Sequence, residues 1–120
     1  MEINYIEPLE SDRILFVNIK NSYNCTDKKS MYYRESAYEA TRKYWKVSSS
    51  RVSKVNLVVG HVDGIVKVVI EPTQSYPTQD TRFKGRYEFD GEQLFDSSYL
   101  GKSIHNLVRI GQNPINYFNV

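Results

Sequence analysis

The Asp63-Gly64 pair, set between two β-branched runs, constrains this chain more than any other feature. In "NLVVGHVDGIVKVVIEP", Asn56 to Pro72, an Asp-Gly turn flanked by apolar stretches is the strongest short-range signal for a β-hairpin. Val55, Leu57 and Val59 share one face of the outgoing strand, and Val66, Val68 and Ile70 share one face of the return strand. Pro72 is expected to end the return strand, since it removes a ladder donor. The hairpin itself carries almost no chemistry, so function has to be sought around it.

"RILFVNI", Arg13 to Ile19, is apolar on both alternating faces, as expected for a central strand covered on both sides. Residues Met1 to Asp12, with Pro8, read as an arm or a short edge strand. "KNSYNCTDKKS", Lys20 to Ser30, is a polar loop, long for its position, and long ordered loops often carry function. From Arg34 to Val47 the spacing turns helical. Ala37, Thr41, Tyr44 and Trp45 line one face, while Glu35, Glu39, Arg42, Lys43 and Lys46 occupy the other. Acidic residues lead this segment and basic ones close it, matching the helix dipole. Thr73 to Thr81 is a second polar loop. In "GRYEFDGE", Tyr87 and Phe89 face inward and Arg86, Glu88 and Asp90 outward, with Asp90-Gly91 as a further turn. A last strand covers Ile115 to Val120.

The resulting order, β-α-β-β-β-turns-β, predicts an α+β fold: a curved antiparallel sheet or small open β-barrel packed against one main helix. At 120 residues the chain is expected to be one domain, 1–120. A net charge of +2 does not by itself imply nucleic acid, so any such claim must rest on clustering. Cys25 stands alone, which rules out an intramolecular disulfide and fits a reducing compartment. With no signal peptide and no long apolar run, the expected location is the cytoplasm, with no membrane partner. The sequence leaves the oligomeric state open.

Catalytic and metal constellations are hard to assemble. His61 and His105 lack companions at metal-ligand spacing, and His61 reads as a structural histidine. No G-x-S-x-G, Walker A or G-x-G-x-x-G occurs. Glu88 and Asp90 project from one strand face, as paired glycosidase carboxylates can, yet on an outward face they are more simply solubilising charges. No catalytic residue, metal or cofactor is therefore assigned, and binding is favoured over catalysis.

Cations and aromatics are more informative. The chain holds ten tyrosines, five phenylalanines and one tryptophan, residues that serve equally as sheet packing and as stacking surfaces. Arg42, Lys43 and Lys46 cluster on the helix, Arg51 and Lys54 follow, and Trp45 lies between the two groups. Arg82, Lys84 and Arg86 form an i, i+2, i+4 series that on a strand would project to one side, like charges tracking a phosphate backbone. Near the C-terminus, Gln112, Asn113 and Asn116 offer amide edges beside Tyr117 and Phe118, which could stack on a base. The expected ligand-binding set is Arg42, Trp45, Lys46, Arg51, Arg82, Arg86, Gln112, Asn113 and Tyr117. Against it stands a plain reading of each element: a solvated charged face and a structural turn.

Four blocks, "YEATRKYWKV", "VVGHVDGIVKVV", "GRYEFDGE" and "YLGKSI…GQNPINYF", together resemble a small domain that occurs alone in bacteria and phages and beside GIY-YIG nuclease domains in longer proteins. The resemblance runs from about Arg13 to Asn119 and rests on block order. It implies an association with nucleic-acid processing. It implies no nuclease activity, since neither half of the GIY-YIG signature is present and no catalytic residue carries over. The curved-sheet-plus-helix expectation also looks like PUA-type modules, which read modified bases or RNA.

Two functions follow as expectations. The first is a non-enzymatic binding module for nucleic acid or a nucleotide-like ligand, using a basic, aromatic surface. The alternative is a protein-interaction or inhibitor module, phage-encoded by the resemblance, that docks through tyrosines, since Tyr, Trp and Arg are also enriched at protein hot spots.

Overall fold

A computed structural model describes residues 3–109, 111 and 113–120. Asp63 and Gly64 adopt φ of 51° and 83°, the doubly left-handed geometry of a two-residue hairpin turn. They join β3 (Leu57–Val62) to β4 (Ile65–Pro77). The other strands are β1 (Ile14–Asn18), β2 (Lys43–Trp45), β5 (Tyr87–Gln93) and β6 (Ile115–Phe118). Three short helices accompany them: α1 (Lys20–Tyr23), α2 (Ala37–Arg42) and α3 (Ser49–Val52).

The six strands form one curled half-barrel sheet in the order β2-β5-β4-β3-β1-β6, giving the expected α+β class. Its pairs are antiparallel except β1 with β3, which run parallel. That exception follows from β1 reaching β3 through a crossover carrying α1, α2, β2 and α3, where a tight hairpin could not lie.

Both sheet faces are covered, which explains the apolar alternation of "RILFVNI" on both sides. Leu15, Val17, Val58, Val68, Ile70 and Phe89 pack under α2 and the 47–55 segment. Ile14, Phe16, Leu57, Val59, Val66 and Val69 pack under Ile6, Ile104 and Val108. The N-terminal stretch is thus fastened: Tyr5 bridges Ser103, and Ile6 is fully buried. α2 lies close on β3, where a Cβ at Gly60 would collide with Thr41.

The expected Lys20–Ser30 loop opens with α1. The expected hairpin faces are split, with Val55, Val68 and Ile70 on one side and Leu57, Val59 and Val66 on the other. Three further expectations change. The helix expected over Arg34 to Val47 occupies only Ala37–Arg42, begun by Ser36, whose Oγ accepts from Glu39 N at 3.1 Å. Lys43–Trp45 turns extended because pairing with Glu88 and Tyr87 of β5 outweighs helical periodicity. Second, β4 runs on past Pro72 to Pro77 through a bulge between Pro72 and Gln74, which accommodates the missing donor. Third, Asp90-Gly91 is strand, not turn. Gly91 lies so close to the Glu71–Pro72 backbone that a side chain there would clash.

Candidate functional site

The early end of α2 decides where the neighbouring side chains go. Extended backbone sends Tyr44 and Trp45 to opposite sides, instead of one helical face. Tyr44 is buried and stacks on Phe83 with ring centroids 4.2 Å apart and planes 6° from parallel. Trp45 is half-buried against the α2-side core and donates its indole N–H to Thr41 O at 2.8 Å.

Around the Tyr44–Phe83 pair the chain gathers cations. The Arg34 guanidinium lies 4.7 Å from the Tyr44 centroid and 5.2 Å from that of Phe83. Lys43 Nζ is 5.3 Å from Tyr44, and Arg82 and Arg86 lie 5.3 and 5.5 Å from Phe83. Each is within reach of the negative face of a ring quadrupole. Two of them also have carboxylate partners: Lys43 with Glu39 at 3.1 Å, and Arg82 with Asp80 at 2.8 Å. Arg34 and Arg86 meet no carboxylate among the described residues. Arg34 Nη1 donates to Met31 O and Tyr33 O at 2.8 and 2.7 Å, and its buried Nε has no partner. Burial, helped by the neighbouring Arg82 charge and opposed by Tyr44 and Asp80, lowers the Arg34 pKa, which for an arginine still leaves it charged. Arg86 Nη1 donates to Tyr44 O at 3.4 Å.

These residues border a cleft of about 160 Å³. Its walls come from Trp45, Tyr44, Phe83 and Tyr32, its cations from Arg34, Arg86 and Lys43, and its neutral polar groups from Asn18, Asn21 and Ser22. Met31 and Tyr32, both about half exposed, come from the 24–34 loop, and Pro114 also lines the cleft. Aromatic rings, two guanidiniums without a carboxylate partner among the described residues, and neutral amide and hydroxyl groups thus border one cleft.

A few residues away, Arg42 has a different environment. Its Nε donates to Glu39 at 2.7 Å, and Nη1 reaches Glu88 at 3.2 Å, Asp90 at 3.1 Å and the Tyr76 hydroxyl at 3.4 Å. Burial alone would lower its pKa, but the bonds to Glu39 and Tyr76 more than offset this and raise it. Burial likewise pushes Glu39 up, and the bonds from Arg42 and Lys43 win, holding its carboxyl below the ordinary value. Tyr76 donates to Asp90 at 3.0 Å and Thr78 to Glu88 at 2.6 Å, so the cluster is nearly saturated. Arg42 is therefore corrected from phosphate contact to structural clamp, and Glu88 and Asp90 from solubilising charges to its partners.

The remaining expected residues divide. Trp45 and Arg86 line the cleft, and Arg82 joins its aromatic block. Arg82, Lys84 and Arg86 do not form a strand ridge: Thr81–Phe83 is a 3₁₀ turn begun by Asp80, and Gly85 at φ 88° reverses the chain. Asp80 accepts from Arg82 Nε at 3.1 Å and Nη2 at 2.8 Å, which holds its carboxyl at about 2. Arg51 lies 4.7 Å over the Tyr117 ring, whose hydroxyl accepts from Ser48 N at 3.4 Å; neither residue lines the cleft. Lys46 and Asn113 are exposed, and Gln112 lies outside the described residues.

Arg34, Tyr44 and Phe83 also line the cleft and are not among the residues expected from sequence. The available signals were Phe83 sitting among Arg82, Lys84 and Arg86, and the unusual length of the loop that leads to Arg34. Among the described residues no group of His, Cys, Asp and Glu is arranged to hold a metal, and no helix is long and apolar enough to cross a membrane. His61 is buried, with Nδ1 accepting from Gly64 N at 3.3 Å and Nε2 without a partner. No protein-family model, curated protein or solved structure matches the chain.

Proposed function

We propose that this chain is a non-enzymatic binding module for nucleic acid or a nucleotide-like ligand, and that the Tyr44–Trp45–Phe83 cleft is its binding site. One observation carries the reading: the Arg34 and Arg86 guanidiniums lie against the same aromatic pair and meet no carboxylate among the described residues. Uncompensated guanidiniums beside aromatic walls favour a ligand that brings its own negative charge and a flat face. Lys46, exposed and next to Trp45, extends the positive surface beyond the cleft. The half-buried, unpaired Cys25 is in keeping with a reducing, cytoplasmic setting.

Salt-dependent binding tests this reading. Affinity for DNA or RNA should fall linearly on a log–log plot against salt, and Arg86→Ala should reduce that slope by about 1. Binding indifferent to salt, or no binding to any DNA, RNA or nucleotide, would defeat it.

A second reading has its own support. Phe95, Leu9 and Ile3 are 78%, 64% and 63% exposed, and Tyr5, Tyr23 and Tyr32 are more than two-fifths exposed. Such side chains suit a protein-interaction or inhibitor module. Purification from its host separates the two: a stoichiometric protein partner supports this reading, and an ultraviolet spectrum shifted toward nucleic acid supports the first.

A further inference from the structure

We infer that the cleft takes one unstacked nucleotide of a single strand, with its ring against Trp45 and its phosphate on Arg86, so that single strands are bound in preference to continuous duplex. The inference rests on the reading above, that the ligand is a nucleic acid, and it goes on to specify the form of that ligand.

Size is the first argument. The cleft encloses about 160 Å³, close to the ~150 Å³ void that in other proteins admits a single benzene ring. It has room for one ring system and its immediate substituents, not for a base pair or two stacked bases.

The second argument is the kind of contact offered. Trp45 and Tyr32 line the cleft and are only partly buried, and a base has a face available for stacking only when it has left its neighbours. In a duplex, bases show side chains only their edges in the grooves. Asn18 adds one directional group: its Oδ1 already accepts from Lys20 N at 3.0 Å, which leaves its amide hydrogens to meet an acceptor on a ring edge.

Charge supplies the third. A duplex binder of ordinary affinity engages about 6–10 phosphates along a surface. Here Arg42 is spent on three carboxylates and Arg82 on Asp80, while Arg51 covers Tyr117. Of the three cations that line the cleft, Lys43 is paired with Glu39, and Arg34 and Arg86 have no carboxylate within ion-pair distance among the described residues, a number that suits a short contact with one strand.

Trp45 is the only tryptophan of the chain, so its emission reports on the cleft directly. Decathymidylate, decauridylate and a ten-base-pair blunt duplex are titrated against the intact protein, with affinity read independently by anisotropy of a labelled strand. The expected result is quenching by a single strand, bound at least about tenfold more tightly than the duplex. Arg86→Ala should weaken the single strand by about tenfold with the circular dichroism unchanged. Trp45→Phe keeps an aromatic ring for the core but offers a smaller stacking face, and by anisotropy it should weaken the single strand more than the duplex. Duplex bound as tightly as single strand, or single strand bound with Trp45 emission unaltered, overturns the inference and leaves nucleic-acid binding standing. Failure of all three probes to bind overturns both.

Discussion

Arg34 precedes α2 and Arg42 is its last residue, and the chain treats their charges in opposite ways. Arg42 is wrapped by Glu39, Glu88 and Asp90 and ties α2 to β5. Arg34 faces the rings of Tyr44 and Phe83, with backbone carbonyls as its hydrogen-bond partners. Carboxylates neutralise a guanidinium, whereas a ring face attracts it and leaves the net charge in place. The comparison separates a neutralised guanidinium from one that keeps its charge, although both arginines come from one basic, aromatic stretch of sequence.

The harshest way to break the comparison is Arg42→Met, which keeps the aliphatic stem and removes the charge. Glu39 and Glu88, with side chains 22% and 13% exposed, would then repel each other with little water to screen them. Removing one partner from such a cluster should cost about 3–4 kcal/mol, discounted from the fully buried case because Asp90 is 38% exposed. Urea unfolding reads this as a lower midpoint at unchanged slope. An unfolding midpoint within error of the parent would mean that the cluster is not a clamp.

Acid comes next and acts on a third region before it reaches the clamp. Burial lowers the His61 pKa from 6.5 to about 4, helped by the nearby His105 charge and opposed by Asp63. A base whose folded pKa is depressed is held neutral by folding, so its contribution is complete above pH 6.5 and declines as pH falls toward 4. The decline amounts to about 3 kcal/mol at most. Glu39, also depressed, adds its loss only below about 4.5, its ordinary range. His61→Asn keeps an acceptor for Gly64 N and should flatten stability between pH 6.5 and 4.5 while leaving the steeper fall below. If the early decline survives that substitution, His61 is not its source.

How much of this was legible beforehand depends on which interactions are local. The hairpin turn was readable because Asp63 and Gly64 determine their own φ values, but its faces were not: Val55 packs with Val68 and Ile70 on the α2 side, and Val66 with Leu57 and Val59 on the other, across a register shift at Gly60–His61. The end of α2 was not, because Lys43–Trp45 takes its conformation from β5, more than forty residues away in sequence. With that one misplaced boundary, Tyr44 was assigned to the wrong face and the cleft could not be seen. Pro72 misled for a related reason: its missing donor matters only where a ladder bond is required, and the bulge removes the requirement. The arginine roles were the least legible. Arg42, Arg82 and Arg86 are alike as residues, and only the fold shows which have carboxylates against them. Trp45 and Arg86 were placed on the ligand face from sequence and do border the cleft; Arg51 and Tyr117 pair with each other instead.

The gentlest change should sharpen the contrast instead of breaking it. Arg82 belongs to both environments, packed on Phe83 like the cleft arginines and bound to Asp80 like Arg42. Asp80→Asn keeps a side-chain oxygen for the Arg82 backbone N–H and so preserves the 3₁₀ turn. It removes the charge that holds the guanidinium by two bonds. Because the Arg82 side chain is 60% exposed and water screens the pair, stability should move little. If uncompensated positive charge at the aromatic block is what binds ligand, the variant should bind single-stranded nucleic acid more tightly than the parent. Its salt dependence should also steepen by about 0.7–0.9, as for one further phosphate neutralised. Unchanged affinity and slope would mean that the Asp80 pairing never limited Arg82, and that the receptor ends at Arg34 and Arg86.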